Sequence, residues 1–122
     1  MVKLKSAACG YIGAVKDHGR ELYQGLIRMH VLVHAVHEPI FGLEMMEELN
    51  HHGYRIGPGT LYPLLHGLER AGLLKSSVGK GSGRRRMYTI TVAGRKALET
   101  AKAKVDELYH EMHEEHPQVR HG

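Results

Sequence analysis

The sequence has a single cysteine, Cys9, so no disulfide can close within the chain. A reducing cytoplasm suits such a protein, and a cytoplasmic location is expected. Tryptophan is absent and phenylalanine occurs once, at Phe41, so aromatic stacking falls to that residue and the tyrosines. No apolar run reaches the roughly 18 residues needed to cross a bilayer, and no membrane segment is expected. Met1 to Asp17 opens with two lysines, Lys3 and Lys5, followed by small and apolar residues up to Lys16, but Gly10 and Gly13 break it too often for a signal peptide. No nucleophile–base pair stands at a catalytic spacing. No phosphate loop is found either: Gly79 to Gly83 is glycine-rich, but it joins two strand-like runs and does not open a helix. The chain is therefore read as a non-enzyme without a resident cofactor.

What is present is a one-domain length of 122 residues, with 42% hydrophobic and 25% charged residues. That composition is ordinary for a soluble globular chain. The core of so short a chain is modest, and oligomerisation would add to its stability. Net charge is +4, a weak pointer to a polyanion by itself. Its distribution is more telling. Between Gly59 and Lys104 there are ten Lys/Arg against two acids, Glu69 and Glu99. From Val105 to Gly122 one basic residue, Arg120, faces Asp106, Glu107, Glu111, Glu114 and Glu115. A positive field confined to one middle segment is the footprint of nucleic-acid binding, or otherwise a solvated basic face.

Periodicity divides the chain. Residues 1–19 have no clean period and are read as a mobile arm. From Glu21, Leu22, Leu26, Met29, Val33 and Val36 follow a helical 4-3-4-3 spacing, with Ile27, Val31 and Leu32 off that stripe. A helix apolar on more than one side is buried on more than one side, here in the core and against a partner subunit. Pro39 ends it. A second helix spans 41–50, with Leu43, Met45, Met46 and Leu49 inward and Gly53 as its stop. A third helix follows Gly57-Pro58-Gly59, with Thr60 as N-cap, Pro63 at the third helical position, Leu61, Leu64, Leu65 and Leu68 inward, and Gly72 closing it. Two β-type runs, 73–78 and 84–91, flank the glycine-rich turn, with Tyr88 and Ile90 inward. Thr91 is the expected N-cap of a last helix from Val92 to about Glu115. On that helix Leu98, Ala101, Val105, Leu108 and Met112 repeat at 3-4-3-4. This is a coiled-coil-like seam too short to stand alone, and an identical helix is its simplest partner.

The expected fold is thus mainly α with a small β-hairpin: a winged helix-turn-helix over 20–91, a dimerisation helix over 92–116 and a tail over 117–122. A duplex major groove admits one helix, and a basic hairpin can follow the backbone or reach the minor groove.

The run Gly53-Tyr54-Arg55-Ile56-Gly57-Pro58-Gly59-Thr60-Leu61-Tyr62-Pro63-Leu64-Leu65-His66 closely resembles the recognition-helix signature of the PadR family of bacterial regulators. Leu68-Glu69 with Gly72-Leu73-Leu74, then Gly83-Arg84-Arg85-Arg86-Met87-Tyr88, then Thr91 with Gly94-Arg95 resemble it in the same order. The resemblance implies a dimeric transcription factor, usually a repressor on a palindromic operator, with the first and last helices forming the dimer. Glycine at position 67 departs from the basic residue frequent in similar sequences, and residues 1–19 have no counterpart.

Candidate DNA-contacting residues are Gly59, Thr60, Tyr62, Pro63 and His66 on the third helix, and Lys80, Arg84, Arg85 and Arg86 on the wing. The plainer alternatives are that Tyr62 packs locally and Thr60 merely caps. Three consecutive arginines on a strand alternate faces, so not all can reach DNA, and one is placed to meet Glu69. Dimerisation is assigned to Leu22, Leu26, Leu98, Ala101, Val105, Leu108 and Met112. An effector, a small molecule or a metal ion, would act through the dimer geometry. His30, His34 and His37 share a helical face at i, i+4 and i+7, and His110, His113 and His116 recur on the last helix. Such spacings can gather imidazoles for Zn²⁺, Ni²⁺ or Cu²⁺, and a metal-responsive sensor is the alternative function, with His30 and His34 the leading ligands. Histidines at an interface or on the surface are the simpler account.

Overall fold

A computed structural model of the chain describes residues 17–79 and 85–114. The element order is α1 (Asp17–His37), β1 (Ile40–Phe41), α2 (Gly42–His51), α3 (Pro58–Arg70), β2 (Leu74–Val78), β3 (Arg86–Ile90) and α4 (Val92–His113). The winged helix-turn-helix and the long last helix are as expected. The proposed arm, apart from its last residues, and the tail beyond Glu114 lie outside the described residues.

The first helix does use two faces, but in the opposite sense to its cleanest stripe. Ile27, Val31, Leu32 and Ala35 enter the core, whereas Leu22, Leu26 and Val33 point outward. Only Met29 and Val36 of the 4-3-4-3 set reach the core margin. A regular seam is what a neighbouring helix needs, while a globular core takes whichever residues meet the sheet and α4.

After Pro39 the chain forms β1, a strand of two residues, Ile40 and Phe41, the second of which the spacing assigns to the second helix. Ile40 pairs with Tyr88 and Phe41 with Met87. Two residues are too few to show alternation, so only the tertiary pairing reveals them. Phe41 is extended and precedes α2, which buries Met45 and Leu49. Leu43, expected inward, is exposed.

Two glycines in the left-handed region end the helices of the motif, Gly53 at φ 98° and Gly72 at φ 82°. Each sits in a Schellman arrangement. Tyr54 N–H donates to Leu49 O at 3.1 Å and Gly53 N–H to Asn50 O at 3.0 Å; Leu73 N–H donates to Leu68 O at 3.0 Å and Gly72 N–H to Glu69 O at 2.9 Å. Asn50 then clamps the connection: its Nδ2 donates to Met46 O and Ile56 O, and its Oδ1 accepts from Ile56 N–H at 3.1 Å. This fixes where α3 begins.

The helix α3 starts earlier than the sequence suggested. Gly57 is the N-cap and Pro58 the first helical residue, so Thr60 lies inside the first turn and does not cap. Pro63 consequently sits within the helix, beyond the first turn, where it removes the hydrogen bond that Gly59 O would accept. Pro58 takes the N1 position that suits proline. Leu61, Leu64, Leu65 and Leu68 all enter the core.

The sheet is antiparallel in the order β1-β3-β2, with Leu74 opposite Ile90 and Val78 opposite Arg86. Tyr88 on the middle strand is 1% exposed and centres the core between the helices. Thr91 caps α4 as expected, accepting from Gly94 N–H at 2.9 Å, and its hydroxyl donates to Gly72 O at 2.6 Å. One side chain thereby joins the end of α3 to the start of α4. Gly94 is required there: a Cβ would strike the Leu73 carbonyl oxygen and come within 2.8 Å of Ile90 Cγ1.

Candidate nucleic-acid interface

The leucine face of α3 fixes the helix roll, and this leaves Gly59, Thr60, Tyr62, Pro63 and His66 on the outer side, all exposed. A Cβ added at Gly57 or Gly59 would meet nothing within 4 Å. Among the described residues no internal contact demands glycine at these positions. Tyr62 is divided between two roles. Its ring lies over Gly42, where a Cβ would come within 2.7 Å of Tyr62 Cζ. Local packing thus covers part of the side chain and leaves 36% of Tyr62 exposed.

Three arginines that the sequence reading passed over border this helix. Arg20 and Arg28 of α1 and Arg55 before α3 line a cleft that also holds Tyr23, Tyr54, Thr60 and Pro63. Arg55 lies inside the recognisable run, but Arg20 and Arg28 lie some 30 to 40 positions earlier in the sequence than Thr60. No local pattern could join them, because only the packing of α1 brings them near. The N-terminus of α3 adds the positive end of a helix dipole to the same cleft.

The wing cations separate as strand alternation requires. Arg85 turns back to α2, with Nη2 3.0 Å from Glu44 Oε2 and its guanidinium carbon 4.0 Å from the Phe41 ring centroid. Arg86 lies on the other side. Its Nη1 donates to Ser76 Oγ at 3.1 Å, and Ser76 Oγ donates to Glu69 Oε2 at 2.6 Å. The expected link from an arginine to Glu69 therefore runs through Ser76. Both arginines remain exposed. Gly79 N–H donates to Arg85 O at 3.0 Å and closes the hairpin base. Lys80 and Arg84 lie outside the described residues.

Among the residues assigned to dimerisation, Leu98 requires correction. It is 4% exposed and belongs to the core of its own chain, where the start of α4 packs on α1 and the sheet. Ala101 is half-buried. Beyond it the helix outruns the domain, and Val105, Leu108 and Met112 are exposed, with Tyr109 beside them. Leu22 and Leu26 on α1 are exposed as well.

The histidine face also differs from expectation. His30 and His34 do come together, but the third member is His52, from the turn after α2, and not His37. Burial lowers the His30 pKa from its ordinary value, the charges of His52 and His34 lower it further, and Glu48 acts in the opposite direction. His110 and His113 accompany Tyr109 on the exposed end of α4. His116 lies outside the described residues.

These elements define a winged helix-turn-helix protein of the transcription-regulator class. Comparison with known proteins agrees. The model of the PadR-like family of transcriptional regulators matches residues 31–100. The chain is 45% identical over 94 residues to the transcriptional regulator Rv3488 of Mycobacterium tuberculosis, covering 76% of this chain and 88% of that protein. The crystal structure of a PadR family transcriptional regulator from Eggerthella lenta is similar at a TM-score of 0.69 and 33% identity, covering 84% of this chain and 92% of that one. A PadR family regulator from Clostridium difficile aligns at a TM-score of 0.66 and 25% identity, over 70% of this chain and 93% of its own. The chain belongs to the PadR-like family of transcriptional regulators. No helix among the described residues is long and apolar enough to cross a membrane.

Proposed function

We propose that the protein acts as a homodimer that binds duplex DNA at a palindromic operator and represses transcription. The observation that carries this reading is the outer side of α3: Gly59, Thr60, Tyr62, Pro63 and His66 stand exposed on a helix whose other face is locked into the core. Arg20, Arg28 and Arg55 flank its N-terminus. A helix held this way enters a major groove end-on, with the arginines at phosphate distance from the groove walls. The wing follows the adjacent backbone through Arg86, with Lys80 and Arg84 as further cations. Arg85 contributes less, being held by Glu44 and Phe41.

The dimer follows from the exposed apolar residues of two helices. Leu22 and Leu26 on α1, and Val105, Leu108 and Met112 on α4, leave apolar surface that the other described residues do not cover. A two-fold axis through that surface places two α3 helices in successive major grooves, roughly 34 Å apart. An effector that alters the spacing changes operator affinity.

The test is a fluorescence-anisotropy titration with DNA from upstream of its own gene, repeated across a salt series. Binding is expected to saturate at one dimer per site and to weaken steeply with salt. Failure of a folded dimer to bind any such fragment in a salt-sensitive manner refutes the proposal.

A further inference from the structure

Two helices that approach each other only through tertiary packing bring three imidazoles together. His30 and His34 lie one turn apart on α1, and His52 caps α2. One ligand nitrogen from each lies within 4.8 Å of the others. The His30 and His52 rings stand 4.9 Å apart between centroids. Glu48, one turn before His52, adds a carboxylate: its Oε2 is 3.1 Å from His52 Nε2 and 3.7 Å from His34 Nε2.

We propose that His30, His34 and His52, with Glu48 as the fourth donor, bind one divalent transition-metal ion of the zinc class per chain. Three neutral imidazoles and one carboxylate are a nitrogen-rich set. Such a set selects Zn²⁺, Co²⁺, Ni²⁺ or Cu²⁺ over Mg²⁺ and Ca²⁺, which take oxygen ligands. In a tetrahedral zinc site with bonds of about 2.0–2.1 Å, neighbouring donors stand roughly 3.4 Å apart. The present spacing of up to 4.8 Å is wider, and an exposed His52 and a half-buried His34 are the side chains with room to rotate toward it. His30 has an aromatic second wall, with its ring 5.3 Å from that of Tyr54 in an edge arrangement. This limits its rotation and keeps it aimed at the other two.

The ion would tie α1 to the end of α2. The Gly53 turn and the Asn50 clamp adjoin His52 on either side and set the start of α3. Metal binding therefore stiffens the joint between the outward apolar face of α1 and the DNA-facing helix. This regulatory consequence rests on the function proposed above; the binding site does not.

The decisive experiment titrates the untagged full-length protein with Zn²⁺ against a chromophoric chelator, and records the visible absorption of its Co²⁺ form. One ion per chain is expected, with the intense bands of four-coordinate Co²⁺. His52→Ala and His34→Ala are expected to weaken binding by at least roughly a hundredfold, the upper end of what loss of an outer-shell partner costs. His37→Ala and His110→Ala should leave it unchanged. His52 is exposed in a turn, so its variant retains the fold, which circular dichroism verifies. Absence of stoichiometric binding overturns the site, as does binding that survives His52→Ala or is lost equally in His37→Ala. Operator affinity with and without Zn²⁺ is measured separately. An unchanged affinity removes the regulatory consequence and leaves the site standing. Absence of any operator removes the proposed function, while the titration still decides the site.

Discussion

Leu98 and Leu108 lie ten residues apart on α4, both were assigned to one seam, and the structure assigns them opposite energetics. Leu98 is 4% exposed, whereas Leu108 is 52% exposed. Replacing Leu98 by alanine removes a packed side chain from the protomer core, at a cost of about 2–5 kcal/mol. For a domain of this size each kcal/mol shifts the midpoint by about 4–8 °C, so a fall of roughly 10 °C or more is expected. Leu108 has already buried about half its surface. Completing the burial of a leucine, worth about 1.5–3 kcal/mol in full, leaves roughly 1 kcal/mol for an interface. Two-fold symmetry counts it twice, giving roughly 2 kcal/mol, or about thirtyfold in the dimer dissociation constant. Leu108→Asp goes further, because it also desolvates a charge. Sedimentation over a dilution series measures the dissociation constant, and thermal unfolding at several protein concentrations measures stability. Leu98→Ala should unfold early at every concentration. Leu108→Ala should lose stability chiefly where dilution separates the protomers. If Leu108→Asp dimerises as tightly as the parent protein, the end of α4 is not the interface and the proposed dimer is wrong.

Three further outcomes follow from single side chains. Thr91→Ala removes the cap of α4 and the link to Gly72, and should destabilise the protein by about 1–2 kcal/mol in urea unfolding, while Thr91→Ser retains most of the stability. Gly94→Ala forces a Cβ against the Leu73 carbonyl, a backbone atom that cannot rotate away, and should cost about 1–3 kcal/mol by the same measurement. Thr60→Ala and Arg86→Ala alter exposed positions and should change stability by less than about 0.5 kcal/mol. Anisotropy should nevertheless show weaker operator binding, and for Arg86→Ala a salt slope reduced by about one.

Much of the fold was legible because its signals are local. The left-handed glycines at 53 and 72, the four-leucine face of α3 and the Thr91 cap each lie within a few residues of what they control. The errors share a different origin. Thr60 has the right chemistry for a cap, but Pro58 can occupy N1, so the helix begins one turn sooner and Gly57 takes the cap position. The two residues of β1 carry no periodicity and are strand only because β3 lies beside them. Leu98 continues the seam of Val105 and Leu108 without interruption. Where α4 leaves the domain surface depends on the placement of α1 and the sheet, which spacing along one helix does not encode.

The candidate site follows the same division, and α1 shows why. Its sequence contains two arginines, four histidines and two apolar faces, none of which is informative by itself. Their meaning depends on which neighbour each meets. Arg20 and Arg28 meet the N-terminus of α3, His30 and His34 meet the end of α2, the Ile27–Val31 face meets the core, and Leu22 and Leu26 stand exposed. In the proposed scheme these are the DNA, metal and dimer surfaces, all on one continuous helix of 21 residues. A helix with no proline within it curves only gently. A change at the histidine end must then reorient the leucine face and the arginine cleft together. Coupling between effector and operator needs no separate relay through the domain; it requires that α1 have two seatings against α2, and that the ion bind one of them better.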